Sequence, residues 1–466
     1  MEPGSFRDRN GRVVYTAEGV FRLLSDHALR QWEALSKTLF FQRLMSDGKI
    51  VETERVHPEP RALTHGIDGN WAAVLKHRTV PFVSYPYEWC FGMLQDAALL
   101  QLELLRAALD EDMILKDASA YNVQWIGTRP IFIDVPSFEE WEAGEPWIGY
   151  RQFCQLFLYP LFLQAYKNVS FQPWLRGQID GIDPEQFNRL MSLRDLARPG
   201  VFSHVFLQAK MQARYGSSDK DIRTTMKSVG FHKNLILSNV DRLRKIVRRL
   251  SLKPRESEWS DYERFHTYTN EDLERKAAFV RRAVHSRPWN LVWDLGCNTG
   301  AFSRIASENA RYVVAMDADH LAVERFYQAL RSEGREAILP LVMNLSDSSP
   351  DLGWRGLERK SIVGRGKPDL TLCLALIHHL VITANIPLPE LVDWLAALGT
   401  DLVIEFILKE DPMVRTLLRN KADHYDDYDL AVFEGSLSAS FEVIEREPLG
   451  NGTRILFFAR NRVRTG

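Results

Sequence analysis

Asp294-Leu295-Gly296-Cys297-Asn298-Thr299-Gly300, preceded by Leu291-Val292-Trp293 and followed by a second acid at Asp317, is the stretch of this chain whose residue types and spacing best suit ligand chemistry. An apolar run ending at a carboxylate reads as a buried parallel strand, and Gly296 through Gly300 then turn the chain into a helix begun by Ala301-Phe302. Glycine suits such a turn because positive φ is free of Cβ strain there and because a ligand can approach bare backbone. Asn298 stands mid-loop, and asparagine is among the few other residues that tolerate a left-handed conformation. Tyr312-Val313-Val314-Ala315-Met316-Asp317 reads as the next strand, its terminal carboxylate placed where a doubly wound sheet puts an acceptor for a ribose diol.

The loop discriminates between ligands. A dinucleotide fold asks for G-x-G-x-x-G so that a pyrophosphate can sit on the helix N-terminus, whereas these positions read Gly296, Asn298 and Ala301. The early acid, Asp294, suits a cationic methionine moiety and repels phosphate. Together these features point to adenosylmethionine, held by Asp294, Gly296, Asn298, Gly300 and Asp317. Asn344, after the third strand, is the candidate for the adenine amino group; the alternative is that it satisfies its own turn.

Ligands of open α/β sheets lie outside the carboxyl ends of the strands, where His378, His379 and Glu405 should join this set. His378 and His379 are the acid/base candidates, because imidazole titrates near neutral pH and methyl transfer to oxygen requires removal of the acceptor's proton. This position lacks the Asn/Asp-Pro-Pro-aromatic signature of nucleobase amino methylation, and no acids are spaced to hold Mg²⁺ for diol methylation. No metal is expected. Trp259, Tyr262, Tyr268 and Lys276 precede the sheet and are candidates to fold over the crevice, with packing as the plainer role.

The elements that must position these residues follow from pattern. Thr269-Asn270-Glu271-Asp272 offers a capping box before a helix with Leu273, Ala277, Val280 and Val284 on one face. Strands are expected at 338–343, 369–376 and 402–406, with helices carrying Val323, Phe326 and Leu330, then Leu391, Leu395 and Leu398 before a stop at Gly399. Phe441-Glu442-Val443-Ile444 and Ile455-Leu456-Phe457-Phe458-Ala459 close the sheet as a hairpin around 450–452. This order matches a class I methyltransferase sheet. The expected organisation is an α+β domain over 1–180, a helical, basic connector over 181–255, and the Rossmann-like domain over 256–466.

The N-terminal part carries a second pattern. Lys116-Asp117-Ala118-Ser119-Ala120-Tyr121-Asn122, then Ile131-Phe132-Ile133-Asp134, follows the kinase order of a catalytic-loop Asp, an Asn five residues on, and a metal-binding Asp after a strand. Upstream, Val13-Val14-Tyr15 and Val20-Phe21-Arg22 suggest a hairpin before a helix containing Glu33. No glycine-rich phosphate loop is visible, Arg22 would replace the usual Lys, and Val135-Pro136 follows Asp134 in place of Phe-Gly. A divergent kinase-like domain and an acceptor-binding scaffold both remain open.

A formal net charge of −2 gives no bulk attraction to nucleic acid or anionic membrane. The local run Lys233, Arg242, Arg244, Lys245, Arg248, Arg249, Lys253 and Arg255 reads first as one solvated helix face. Cys90, Cys154, Cys297 and Cys373 lack metal-ligand spacing and are expected to be reduced packing residues. The N-terminus has no basic-then-apolar signal and no stretch reads as a membrane span, so cytoplasm is the expected compartment.

Several strings together resemble a bacterial family of class I adenosylmethionine-dependent methyltransferases that includes NoeA-type nodulation host-specificity proteins. They are Val83-Ser84-Tyr85-Pro86-Tyr87-Glu88-Trp89, Leu115-Lys116-Asp117-Ala118-Ser119-Ala120-Tyr121-Asn122-Val123-Gln124, Tyr150-Arg151-Gln152-Phe153-Cys154, Trp293-Asp294-Leu295-Gly296 and Ala375-Leu376-Ile377-His378-His379-Leu380. The resemblance covers most of the chain; it implies adenosylmethionine as cofactor and leaves the acceptor open. Where this chain has Asn344 the family pattern often carries Asp. The expected activity is methyl transfer to oxygen of a small-molecule or glycan-type acceptor; the alternatives are a bifunctional kinase-methyltransferase and a non-catalytic binding protein on the same fold.

Overall fold

The structure is a computed structural model, and it describes residues 1–57, 69–210, 232–252, 269–419, 421, 424–450 and 452–462. Trp259, Tyr262, Tyr268, Lys253 and Arg255 lie outside them. The chain divides into two compact units: Met1–Trp125 with Pro130–Pro254 and Gly353–Arg359, and Ile126–Arg129 with Arg255–Leu352 and Lys360–Gly466. The described residues 181–210 and 232–252 group with the first unit.

The first unit begins with a hairpin, β1 (Gly11–Thr16) and β2 (Gly19–Leu24), followed by helix α1 (Asp26–Leu35), whose N-terminus is capped by the Ser25 hydroxyl. Strands β3 (Thr53–Arg55) and β4 (Ala73–His77) complete an antiparallel sheet of order β1-β2-β4-β3. Next comes helix α2 (Phe91–Asp110), buried on nearly every side, which is why its sequence is apolar almost all round. Two short ladders follow: β5 (Met113–Leu115) with β8 (Phe138–Glu140), and β6 (Val123–Ile126) with β7 (Arg129–Phe132).

Helix α3 (Lys233–Arg249) packs against α2. It buries Ile236, Val240, Leu243, Ile246 and Val247 at helical spacing, and the Gln95 amide of α2 donates to the carbonyls of Val247 and Leu250 at 2.7 and 2.9 Å. Arg242, Lys245, Arg248 and Arg249 are exposed, so the described part of the basic run is a solvated face.

The second unit opens with helix α4 (Asn270–His285) behind a reciprocal cap: Thr269 Oγ1 accepts from the Asp272 N–H at 3.1 Å, and Asp272 Oδ2 accepts from the Thr269 N–H at 3.2 Å. Strand β9 (Trp289–Leu295), helix α5 (Ala301–Ala306), strand β10 (Ala310–Asp317), helix α6 (His320–Glu333) and strand β11 (Ile338–Val342) follow in alternation. Strand β12 (Leu370–Cys373), helix α7 (Leu388–Ala397), strand β13 (Asp401–Ile407), helix α8 (Leu430–Ser440) and the hairpin β14 (Phe441–Pro448) and β15 (Arg454–Asn461) complete it. The seven strands lie in the order β11-β10-β9-β12-β13-β15-β14, with β15 antiparallel to its neighbours, as in class I methyltransferase sheets. Strand β12 is shorter than its apolar run suggested, because Ala375 turns left-handed at φ +52° and ends the ladder. Among the described residues no helix is long and apolar enough to cross a membrane, and all four cysteines are buried and outside any disulfide.

A Cβ at Gly300 would fall 1.9 Å from the Phe326 ring, so this glycine, at φ +79°, serves the packing of α6 against the loop. Gly300→Ala should cost roughly 2–4 kcal/mol of unfolding free energy through overpacking and left-handed strain. Denaturant unfolding within 0.5 kcal/mol of wild type, about the spread of a neutral surface change, would remove this packing account.

Candidate functional site

Three left-handed residues, Gly296 (φ +75°), Asn298 (φ +48°) and Gly300, curl the chain between β9 and α5. The N–H groups of Gly296 and Cys297 both bond the Met316 carbonyl, at 2.8 and 3.0 Å, which ties the loop to the end of β10. Asp317 sits at that end, half-buried. Its Oδ2 accepts from the Asn298 N–H at 2.8 Å and its Oδ1 from the Asp319 N–H at 2.9 Å. Each oxygen keeps acceptor capacity, so the carboxylate is oriented by backbone and can still take two hydroxyl donors. Burial raises its pKa despite these bonds.

Asp294 is turned into the interior. Its Oδ2 accepts from the Ser303 hydroxyl at 2.5 Å, and burial, offset by that bond and reinforced by Asp317, pushes its carboxyl up to about 6. Its bond to Ser303 ties β9 to α5. Asn344 is exposed, and its Oδ1 accepts from both the N–H (3.1 Å) and the hydroxyl (2.8 Å) of Ser346, so it caps its own turn.

Behind the loop lies a buried ion chain that sequence reasoning missed. Lys276 Nζ bonds Glu405 Oε2 at 2.7 Å, Glu405 Oε1 lies 3.8 Å from Arg454, and Arg454 bonds Asp411 at 2.8 and 3.2 Å, all four side chains being buried. Lys276 thus packs inside the second unit, and burial lowers its pKa against the pull of Glu405. A signal existed: Lys276 falls on the apolar face of α4, and Glu405 interrupts an otherwise apolar strand, and charges in such places must pair. Ser303 left no comparable sign.

His378 and His379 follow β12, their ring centroids 4.1 Å apart, and a single π-helical turn spans His379–Thr383. His378 is fully buried, with neither ring nitrogen hydrogen-bonded. Burial, with His379, Arg454 and Lys276 nearby, holds its pKa well below the usual value. His379 is partly exposed and burial pushes it down to about 4. Both rings are therefore neutral at pH 7. Of the pair, only His379 is placed to touch a solvent-borne acceptor.

The first unit has its own polar cluster. Arg22 Nη1 bonds Asp134 Oδ1 at 2.5 Å, the Asn122 amide donates to Asp134 Oδ2 at 3.3 Å, and Ser137 donates to Asp134 and, at 3.4 Å, to Asp117. Burial would raise Asp134, but Arg22 and Ser137 outweigh it and its pKa falls; burial and the Asp134 charge raise Asp117. Glu33 pairs with Arg55 at 3.3 Å and not with Arg22. Among the described residues no group of His, Cys, Asp and Glu is arranged to hold a metal ion.

No protein-family model matches the chain. Over 456 residues, 97% of this chain and 94% of its relative, it is 32% identical to nodulation protein NoeA of Rhizobium meliloti (strain 1021). The chain belongs to the NoeA family. Among solved structures it is similar to the N-methyltransferase NodS of Bradyrhizobium japonicum WM9 in complex with S-adenosyl-L-homocysteine (15% identity, 44% of this chain and 98% of that one, TM-score 0.32). It is likewise similar to magnesium protoporphyrin IX methyltransferase ChlM of Synechocystis PCC 6803 with bound SAM (18%, 44% and 92%, TM-score 0.31) and to the bifunctional kinase-methyltransferase WbdD (19%, 44% and 42%, TM-score 0.30). At these scores the structural likenesses carry no argument, and the chemistry rests on the site itself.

Glu405→Gln should destabilise the second unit by about 3–5 kcal/mol, because it strands a buried lysine, whereas Lys276→Met with Glu405→Leu should cost distinctly less. A double-variant loss equal to the sum of the losses of Lys276→Met and Glu405→Leu alone, measured by denaturant unfolding, would show that Lys276 and Glu405 are not energetically coupled.

Proposed function

We propose that this NoeA-family protein is an adenosylmethionine-dependent methyltransferase whose second unit holds the cofactor and whose first unit selects the acceptor. The observation that carries this reading is the half-buried Asp317 carboxylate, oriented by two backbone N–H groups beside the left-handed loop Gly296–Gly300. Asp317 would take the ribose hydroxyls. Asp294, Asp317 and Asp319 give the crevice a negative field that suits a cationic cofactor and opposes a pyrophosphate. Adenosylmethionine supplies an electrophilic methyl group on sulfonium. Asn344 would offer its amide group to the adenine while its oxygen holds the Ser346 turn.

His379 would accept a hydrogen bond from an acceptor hydroxyl and orient its oxygen. With its pKa near 4, proton abstraction by this ring is uphill at neutral pH, so alignment contributes more than basicity. Fully enclosed His378 would support His379 and not meet the acceptor. The acceptor class this favours is a small hydroxylated compound or glycan, methylated at oxygen in a cytoplasmic reaction.

A second reading concerns the first unit. Its strand order β1-β2-β4-β3, the two small ladders, and the convergence of Asp117, Asn122 and Asp134 support a kinase-like fold that lacks the first strand and its glycine-rich loop. Phosphotransfer needs a basic residue of this sheet paired to the helix Glu, and a metal on the last Asp. Here Arg22 pairs with Asp134 and Glu33 with Arg55, which favours binding without phosphotransfer.

Asp317→Ala should weaken adenosylmethionine binding by calorimetry roughly ten- to a hundredfold, a loss of about 1.5–3 kcal/mol in charge-assisted hydrogen bonds. Unchanged affinity in the folded variant would sink the site. His379→Ala should lower turnover about 10²–10⁴-fold with cofactor affinity nearly intact. Because the ring is neutral above its depressed pKa, the His379-dependent rate should be flat from pH 6 to 8 and fall only as pH drops toward about 4. A half-point near 6.5 would instead mark an unperturbed, catalytically basic imidazole.

A further inference from the structure

Among the buried polar atoms of the first unit that make no hydrogen bond, those of Arg22 and His77 lie on one face of its sheet. Facing pairs Arg22↔Leu75 and Val20↔His77 put Arg22 and His77 diagonally across β2 and β4 on the same side. Arg22 spends Nη1 on Asp134, while its Nε is buried and unbonded. His77 is 7% exposed, and its Nε2 is unbonded as well. The tautomer of His77 follows from its neighbour. The Thr53 hydroxyl donates to the Val51 carbonyl at 2.9 Å, so at 2.9 Å from His77 Nδ1 it must accept, which leaves Nε2 as a bare acceptor. Burial pushes His77 down to about 3, with Arg22 adding to this, so the ring stays neutral.

Around these atoms the charges are already balanced. Arg22 neutralises Asp134 on the oxygen opposite the one that takes Asn122 and Ser137, where a phosphotransferase would place a divalent cation. Asp117, half-buried, receives only the 3.4 Å contact from Ser137 and retains acceptor capacity. Among the described residues a metal-bound polyphosphate finds no free set of metal ligands. An uncharged ligand with several hydroxyls matches what is left: donors for His77 Nε2 and the Asp117 carboxylate, and an acceptor for the Arg22 Nε–H. Buried polar atoms without partners are costly, and a matching ligand would satisfy them.

We propose that Arg22 is a built-in substitute for a divalent cation, making the polar cluster of Arg22, His77, Asp117, Asn122 and Asp134 a metal-independent site for an uncharged polyhydroxylated ligand of the sugar class. The biological meaning of this site rests on the reading of the first unit as the acceptor-selecting half. Its test does not, because binding is measured without the methyl donor.

The full chain, labelled with a fluorophore and kept in EDTA, is applied to an array of immobilised neutral mono- and oligosaccharides, while Mn²⁺ binding is followed by electron paramagnetic resonance. Wild type should retain neutral sugars in EDTA, show no Mn²⁺ site, and ignore magnesium ATP. Asp117→Ala should lose sugar retention at least tenfold. Arg22→Gln, which leaves Asp134 and Asp117 uncompensated, should lose sugar retention and acquire an Mn²⁺ site that Asp134→Asn removes. Arg22→Lys, which keeps the charge, should remain silent toward Mn²⁺ and serves if the glutamine variant does not fold. Binding of Mn²⁺ or magnesium ATP by wild type would overturn the proposal. So would the absence of retention on every neutral sugar, or a folded Arg22→Gln variant that still ignores Mn²⁺. Loss of methyl transfer with sugar binding intact would count against the methyltransferase reading alone.

Discussion

The buried chain Lys276–Glu405–Arg454–Asp411 is the constraint on which the rest of the second unit depends. It links helix α4, strand β13, strand β15 and the turn before residue 412, and so fixes the carboxyl end of the sheet from behind. Four charges withdrawn from water are tolerated only because each meets an opposite charge at hydrogen-bond or near-contact distance. The same charges reach outward: Lys276 tempers the rise of Asp294, and Lys276 with Arg454 helps to keep His378 neutral. Charges enclosed behind the loop therefore contribute to the protonation of Asp294 and His378.

On that frame the loop does a narrow geometric job. Left-handed backbone at 296, 298 and 300 brings the Asn298 N–H onto Asp317 and leaves the carboxylate half-open. The loop glycines differ in purpose. A Cβ at Gly296 would meet only the tip of Leu376, at 3.3 Å, whereas at Gly300 it would enter the Phe326 ring. One glycine answers to dihedral angle, the other to packing between a loop and a helix.

The first unit handles charge in the opposite way. Its Asp134, Asn122 and Asp117 come together as a phosphotransferase would need them, yet Arg22 closes the arrangement by supplying a cation from the sheet. Guanidinium is permanently charged and offers further donors after one is used, so it neutralises the acid and keeps an N–H edge. Lysine at this position would give a point charge without that remaining edge.

What the sequence determined by itself was the alternation of the second unit. Apolar runs ending in acids, a capping box at Thr269, and a left-handed stop at Gly399 are local signals, and each depends on a few adjacent residues. The strand order, the Asp294–Gly300 loop and Asp317 were legible for that reason, as was the Asp117, Asn122, Asp134 spacing. Only tertiary structure decided which side chains meet. Nothing near residue 294 announces Ser303 as its partner; nothing near 22 announces Asp134, 112 positions away. His378 and His379 are adjacent in sequence and chemically identical, yet one is enclosed and the other partly open, because the turn after Ala375 rotates them into different surroundings. Burial and opposite charge over long separations set their protonation, and both are properties of the packed chain.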